Sequence, residues 1–552
     1  MKPKMLILRG ALALMVFAAI SLQAQVTFDR LLQAEKDPAN WLTYSGNLLG
    51  QRYSPLTQIN TGNVKNLELQ WIWQAQSLEK YETSSIVLDG VLYTIQAPNS
   101  TAAADGNTRI QALDAATGRP FWTFTYNIPM TARNCCGRVN RGLAILGDSL
   151  FMGTLNSHLI AINRKNGTLL WDTTVITTAA NAPTYPITVA PLVVKDKVII
   201  GTAGGDAAIR GFIAAFDAKT GKEVWRFYTI PGTGEPGNET WAGESWKTGG
   251  AGVWTTGSYD AETNLTFWGT GNPNPTGNPV IRAGDNLYSD SVVALDADTG
   301  KLKWHYQFTP NDDMDYDSTQ VPVLADVEFK GRTRKAMLWA NRNGLIYLLD
   351  RTTGEFLNGK PYVKVNWMDG FDAKGRPQRV PGKLAGARGD GTANMPTILG
   401  ATNWYSPSYS PKTGLFYVSA WENSKTGGGG GGARGAANTT PMGGIALSPN
   451  TKTEEEGFGA VRAFDPKTLD KKWEFKMNDI TWAGVLSTAG DVVFSGGREG
   501  YFFALDARDG KLLWKIPLGG QVNSGPMSYS INGRQYISVA AGTSLFSFAL
   551  RQ

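Results

Sequence analysis

A turn that ends in tryptophan recurs along this chain and leaves few folds open. In Ala112-x-Asp114-x-x-Thr117-Gly118 the frame closes with Trp122, four places after the glycine. It returns as Ala215/Asp217/Thr220/Gly221/Trp225 and Ala294/Asp296/Thr299/Gly300/Trp304. Ala504/Asp506/Gly510/Trp514 keeps it with Asp509 in place of Thr. Ala161/Asn163/Gly167/Trp171 and Ala463/Asp465/Thr468/Trp473 are looser copies, and Asp350/Thr353/Gly354 and Ser410/Thr413/Gly414 keep the turn alone. Asp and Thr cap a tight turn with their side chains, and Gly supplies positive φ. Apolar runs flank each turn, so each unit reads as strand, turn, strand, with its Trp packing on the next unit. Most units lie about 40–55 residues apart, the spacing of four-stranded propeller blades.

Eight turns predict an all-β, eight-bladed β-propeller, although length alone suggests about three or four domains. The abundance of Gly (64) and Trp (18) agrees with many turns and many large packing anchors. The segment from Arg52 to Asn60 is expected to start the ring, and a last strand from the C-terminus to close it. Two longer gaps, Asp217 to Asp296 and Asp350 to Asp465, leave room for functional loops. Six consecutive glycines at 427–432 mark a flexible insertion at about 425–450.

Residues 1–24 read as a secretory signal, with Lys2, Lys4 and Arg9 ahead of an apolar run too short to span a membrane. Cleavage near Ala24 leaves one exported domain over 25–552, expected in the periplasm. Removing those three basic residues lowers the net charge from +6 to +3, which is no nucleic-acid signature. Two Cys and two His exclude a Cys/His zinc site. The chain contains no Cys-x-x-Cys-His for a covalent c-type haem and no dinucleotide fingerprint.

Four carboxylates fall within Asn311-Asp312-Asp313-Met314-Asp315-Tyr316-Asp317. On an extended backbone Asp313, Asp315 and Asp317 would point to one side, where a hard cation would relieve their repulsion. A solvated acidic loop is the plainer reading. Cys135 and Cys136 are adjacent, and the residues leave open a strained bridge or two separate thiols. Arg138 and Arg141 follow, suited to a planar anion. A Gly-rich loop presents Asp206, and Gly269-Thr-Gly-Asn272-Pro273 presents an amide oxygen.

Together the Trp-turn repeat, Cys-Cys with Arg five places on, Gly-Thr-Gly-Asn-Pro and Asp-Tyr-Asp resemble the alcohol dehydrogenases that depend on pyrroloquinoline quinone (PQQ), the methanol/ethanol dehydrogenase group. The likeness runs from Trp41 to about Gly542. It implies a Cys135–Cys136 disulfide over one face of the quinone and Trp254 under the other. It implies cofactor contacts from Glu82, Arg141, Thr188, Asn403 and Trp482, with Arg342 near the reactive quinone oxygens. It implies Asp206, Asn272, Asp315 and Asp317 as ligands of a lanthanide(III) or Ca2+, with Asp315 also the catalytic base. Asp317 matches the additional Asp of lanthanide-using members.

The resemblance implies oxidation of a small alcohol and electron transfer to a soluble c-type cytochrome, with a homodimer as one allowed assembly. Two positions depart from the pattern. Asp206 stands where the family usually has Glu, one methylene longer, and Ala203 where a hydroxyl often meets the cofactor. The rival reading is a non-catalytic propeller that serves as scaffold or binding protein.

Overall fold

A computed structural model describes residues 25–100, 106–132, 134–177, 185–380, 395–422 and 458–551. The expected signal segment at 1–24 and the expected insertion at about 425–450 lie outside the described residues. The chain forms eight antiparallel blades, an eight-bladed β-propeller. In chain order, blades one to seven span Ile86–Leu88 to Pro120–Asn127, Ala144–Leu146 to Leu169–Thr174, Leu192–Val194 to Glu223–Tyr228, Ser258–Asp260 to Leu302–Gln307, Val323–Phe329 to Phe356–Pro361, Ser408–Ser410 to Lys471–Met477, and Leu486–Thr488 to Leu512–Pro517.

The eighth blade joins three C-terminal strands, Met527–Ile531, Arg534–Ala541 and Ser544–Leu550, to Leu67–Gln74 near the N-terminus. Ring closure therefore uses three C-terminal strands, not the single one expected. Tyr53–Ser54 is instead a short parallel addition to the inner strand of blade seven, pairing Tyr53 with Ser487.

The repeat has a direct structural cause. In blades two, three, four, six and seven, and again at Ala112 opposite Trp122 in blade one, its Ala sits across from its Trp, as in Ala215 opposite Trp225. A small side chain there leaves the indole free to lie on the next blade. Trp171 packs where a Cβ on Gly221 would come within 2.7 Å of the ring, and its Nε1 donates to Ala218 O at 3.2 Å. Trp122, Trp225 and Trp473 make the same bond to the following blade, as does Trp71 from blade eight. Trp71 went unread because no Asp-Thr-Gly turn precedes it.

Seven of the predicted turns join the third and fourth strands of a blade. The Ser410/Gly414 turn instead joins the first and second strands of blade six, whose outer hairpin carries the Asp465 turn. The count of eight survives because blade eight, split between the termini, needs no such turn.

Residues 41–54 run along the inner strands through the ring. Leu48 O accepts from Tyr259 N at 2.8 Å, Leu49 O from Leu324 N at 2.8 Å, and Gln51 O from Tyr409 N at 2.8 Å. Fully buried Arg52 ties this plug to Tyr44 O (2.6 Å), Ser84 Oγ (2.9 Å) and Pro526 O (3.0 Å).

Candidate active site

Blade topology gathers the site. In an up-and-down blade the start of the inner strand and the turn between strands two and three lie on the same face. Glu82, Arg141, Thr188, Trp254, Asp317, Asn403 and Trp482 each lie within six residues before an inner strand, in blades one to seven respectively. Asp206, Asn272 and Arg342 lie in the turns between strands two and three of blades three, four and five. Cys135 and Cys136 lie in the connection from blade one to blade two, at the same end.

Arg141 is the hub of one half. It is buried, with Nη2 2.9 Å from Glu82 Oε2. Its Nη1 donates to Thr188 Oγ1 and to Trp254 O, each at 3.0 Å. Its guanidinium lies 4.8 Å from the centre of the Trp254 ring and 5.1 Å from that of Trp404. Burial pushes the Glu82 carboxyl above its usual range, and Arg141 and then Lys80 pull it back. Lys80 Nζ lies 4.6 Å from the centre of the Trp482 ring.

Sequence reading missed Trp404 and Lys80. Asn403 instead accepts from the N–H of Trp404 at 2.9 Å, and it is Trp404 that reaches Arg141. Cys135 and Cys136 are exposed, with their Sγ atoms 2.7 Å apart.

Arg342 is the hub of the other half. Nη1 donates to Asp317 Oδ2 at 2.6 Å, and Nη2 to Asp315 Oδ2 at 3.3 Å and to Ile398 O at 2.7 Å. Asp317 Oδ1 accepts from Asn272 N at 2.9 Å, and Asn272 Nδ2 lies 3.3 Å from Asp206 Oδ1. Burial raises the Asp317 carboxyl above its usual range; Arg342 opposes this and the Asp206 charge adds to it. The two halves meet at Gly271, where an added Cβ would stand 2.5 Å from Asp317 Oδ1 and 3.5 Å from Trp254 Nε1.

The stretch at 311–317 is neither extended nor solvated. Asn311 and Asp315 have φ of 51° and 63°, and Asp312, Asp313, Asp315 and Asp317 are all buried. The bends send the side chains apart. Asp313 pairs with Arg379, which stands on the hairpin Met368–Phe371/Pro377–Arg379 in the second long gap. Asp312 accepts from Met314 N and Tyr316 N at 2.8 Å each, and burial pushes its carboxyl up to about 6.

Among the described residues, no three His, Cys, Asp or Glu side chains already stand in metal-holding geometry. Arg342 now spans Asp315 and Asp317, and the fourth candidate donor, Asn272, is an amide. The donor set nonetheless fits a hard cation. Asp206, Asp315, Asp317 and Asn272 carry oxygen donors, and Arg342 bonds to both Asp315 and Asp317. The first half suits a flat anionic molecule, with a guanidinium and threonine hydroxyl beside indole faces.

The family model described as PQQ, glucose/ethanol/alcohol dehydrogenase, beta-propeller domain, matches residues 41–366 and 455–537. The quinoprotein alcohol dehydrogenase PedH of Pseudomonas putida is 35% identical, over 94% of this chain and 89% of that protein. The quinohemoprotein alcohol dehydrogenase of Comamonas testosteroni is 37% identical, over 91% of this chain and 72% of that one. Its crystal structure superposes with a TM-score of 0.83, covering 96% of this chain and 84% of that one at 32% identity. A europium-containing methanol dehydrogenase superposes with a TM-score of 0.82, covering 95% and 100% at 30% identity. Sequence, fold and relatives agree that this chain belongs to the PQQ-dependent alcohol dehydrogenase family.

Proposed function

We propose that this chain oxidises a small alcohol to an aldehyde with PQQ and a bound hard cation, in the periplasm after removal of residues 1–24. The observation that carries the reading is the pair of arrays on one face of the ring, Glu82, Thr188 and Trp254 about Arg141, and Asp315 and Asp317 about Arg342. Bound quinone would supply the two-electron acceptor and the cation Lewis acidity, chemistry that protein side chains lack.

Trp254 offers one stacking face, and Cys135–Cys136, closed as a disulfide, the other. Arg141 pairs with a carboxylate of the cofactor, and Glu82, Thr188, Asn403 and Trp482 complete its edge. Asp206, Asn272, Asp315 and Asp317 hold the cation, and the added charge of Asp317 favours a lanthanide over calcium. Asp315 Oδ2 takes the hydroxyl proton of the alcohol, while the Arg342 N–H at 3.3 Å orients that carboxylate. Electrons then leave to a soluble c-type cytochrome.

Cofactor binding followed by quinone absorbance tests the reading. Arg141→Ala removes bonds to Glu82, Thr188 and Trp254 and should weaken PQQ binding about 10- to 100-fold, the worth of charge-assisted hydrogen bonds. Equal binding by the variant and the native chain would contradict this placement of the cofactor.

A further inference from the structure

The hairpin that pairs Met368–Phe371 with Pro377–Arg379 follows the last strand of blade five. Two strands alone are marginally stable, so contacts with the ring must set its position. Its turn is tied to blade four. Arg376 gives two N–H groups to the Asp285 carboxylate, at 2.5 and 2.7 Å, and Tyr306 Oη donates to Gly375 O at 2.5 Å. Phe371 packs on Phe356 of blade five, with ring centres 5.0 Å apart. At the base, Val380 N donates to Trp367 O at 3.0 Å.

The base of the hairpin is bonded to both sides of the Asp315–Arg342 contact. On one side, buried Trp367 donates from Nε1 to Asn343 O at 2.8 Å, one residue from Arg342. Its ring centre lies 6.0 Å from that of Tyr316, the residue after Asp315, and Met314, the residue before Asp315, shares the same buried cluster. On the other side, Arg379 Nη2 donates to the buried Asp313 carboxylate and Nη1 to Asn311 O at 3.4 Å. Between these two anchors Arg342 Nη2 meets Asp315 Oδ2 at 3.3 Å. The loop needs such a hold. Asn311 and Asp315 have left-handed backbone, φ 51° and 63°, which residues other than glycine keep only where their surroundings enforce it. Asp312 supplies part of that from within the loop, through Met314 N and Tyr316 N.

We propose that this hairpin braces the base of the reaction: Arg379 and Trp367 are positioning residues that fix the Asp315 carboxylate against Arg342. The proposal rests on the reading of Asp315 as the group that takes the alcohol proton. Arg379 acts through Asp313 and Asn311, and Trp367 through Asn343 and Tyr316. Moving a reacting group by about 1 Å costs on the order of 100-fold in rate. Loss of the brace should therefore appear in kcat. The Arg379 side chain is 25% exposed, so trimming it opens no core cavity.

The test combines steady-state alcohol oxidation, with PQQ and whichever of lanthanum and calcium supports native turnover, and PQQ titration by quinone absorbance. Arg379→Ala should lower kcat about 10- to 100-fold and leave KM for the alcohol within about twofold. It should bind PQQ as the native chain does, because the contacts of Arg141 are untouched. Arg379→Lys should recover part of kcat, as should free guanidinium added to Arg379→Ala far below denaturing strength. Trp367→Phe keeps the ring, loses the bond to Asn343 and should lower kcat in the same direction. An unchanged kcat in Arg379→Ala, or a loss that neither lysine nor guanidinium restores, would overturn the brace while leaving the native activity in place. A native chain that turns over with neither ion would overturn the reading of Asp315 and the proposal together. Should Arg379→Ala lack a native near-UV spectrum, Arg379→Gln gives the same comparison.

Discussion

Arg342 Nη1 lies 2.6 Å from Asp317 Oδ2, and both side chains are buried. The same guanidinium reaches Asp315 Oδ2 at 3.3 Å, so one cation holds two carboxylates. Arg342→Ala should leave both without it and cost about 3–5 kcal/mol in the metal-free protein. Added La3+ or Ca2+ should restore part of that loss. Thermal unfolding with and without the ion checks both statements.

Asp312 gives the metal-free protein a pH dependence. Its carboxyl is raised to about 6 in the fold, so the folded state binds that proton more tightly than the unfolded chain. The resulting stabilisation is fully present below pH ~4, the unfolded value, and is lost as pH rises through about 6. The difference is about 3 kcal/mol. The melting-temperature difference between the native chain and Asp312→Asn should move in favour of the variant between pH 4 and pH 7, and a constant difference would contradict the buried setting of Asp312.

Blade docking should be costly to break. Trp225 is buried, donates to Ala297 O at 3.1 Å and covers Gly300, whose φ is 68°. Trp225→Ala should destabilise by about 3–5 kcal/mol in a denaturant titration. Gly300→Ala should also destabilise, because its Cβ would meet the same ring.

A thiol count tests the proposed bridge. If Cys135 and Cys136 are oxidised to a disulfide in the exported protein, the denatured chain has no titratable thiol. Cys135→Ser should then show one. Two thiols in the native sequence would refute the bridge.

The fold was legible because the repeat is local: an Ala, a capped turn and a Trp specify one hairpin, and copies at similar spacing specify the ring. Ring closure was harder to read, since Trp71 and the three C-terminal strands meet only in space. At the site, Arg141 and Trp254 come together, as do Asp317 and Arg342, and the two pairs meet at Gly271. Trp404 was passed over for its neighbour Asn403 because sequence does not say which of two adjacent side chains turns inward. Arg379 carries no spacing relation to 311–317, and an inserted hairpin brings it there. The apparent alternation of Asp313, Asp315 and Asp317 misled because two positive-φ residues break the extended backbone.

The central claim is tested most directly by dye-linked alcohol oxidation with the metal-free protein, reconstituted with PQQ and either lanthanum or calcium. Alcohol-dependent turnover with lanthanum, lost in Asp317→Ala, is the predicted result. Turnover with calcium alone would keep the oxidation and refute the preference for a trivalent ion. No turnover with either ion, and no quinone absorbance on the protein, would contradict the account.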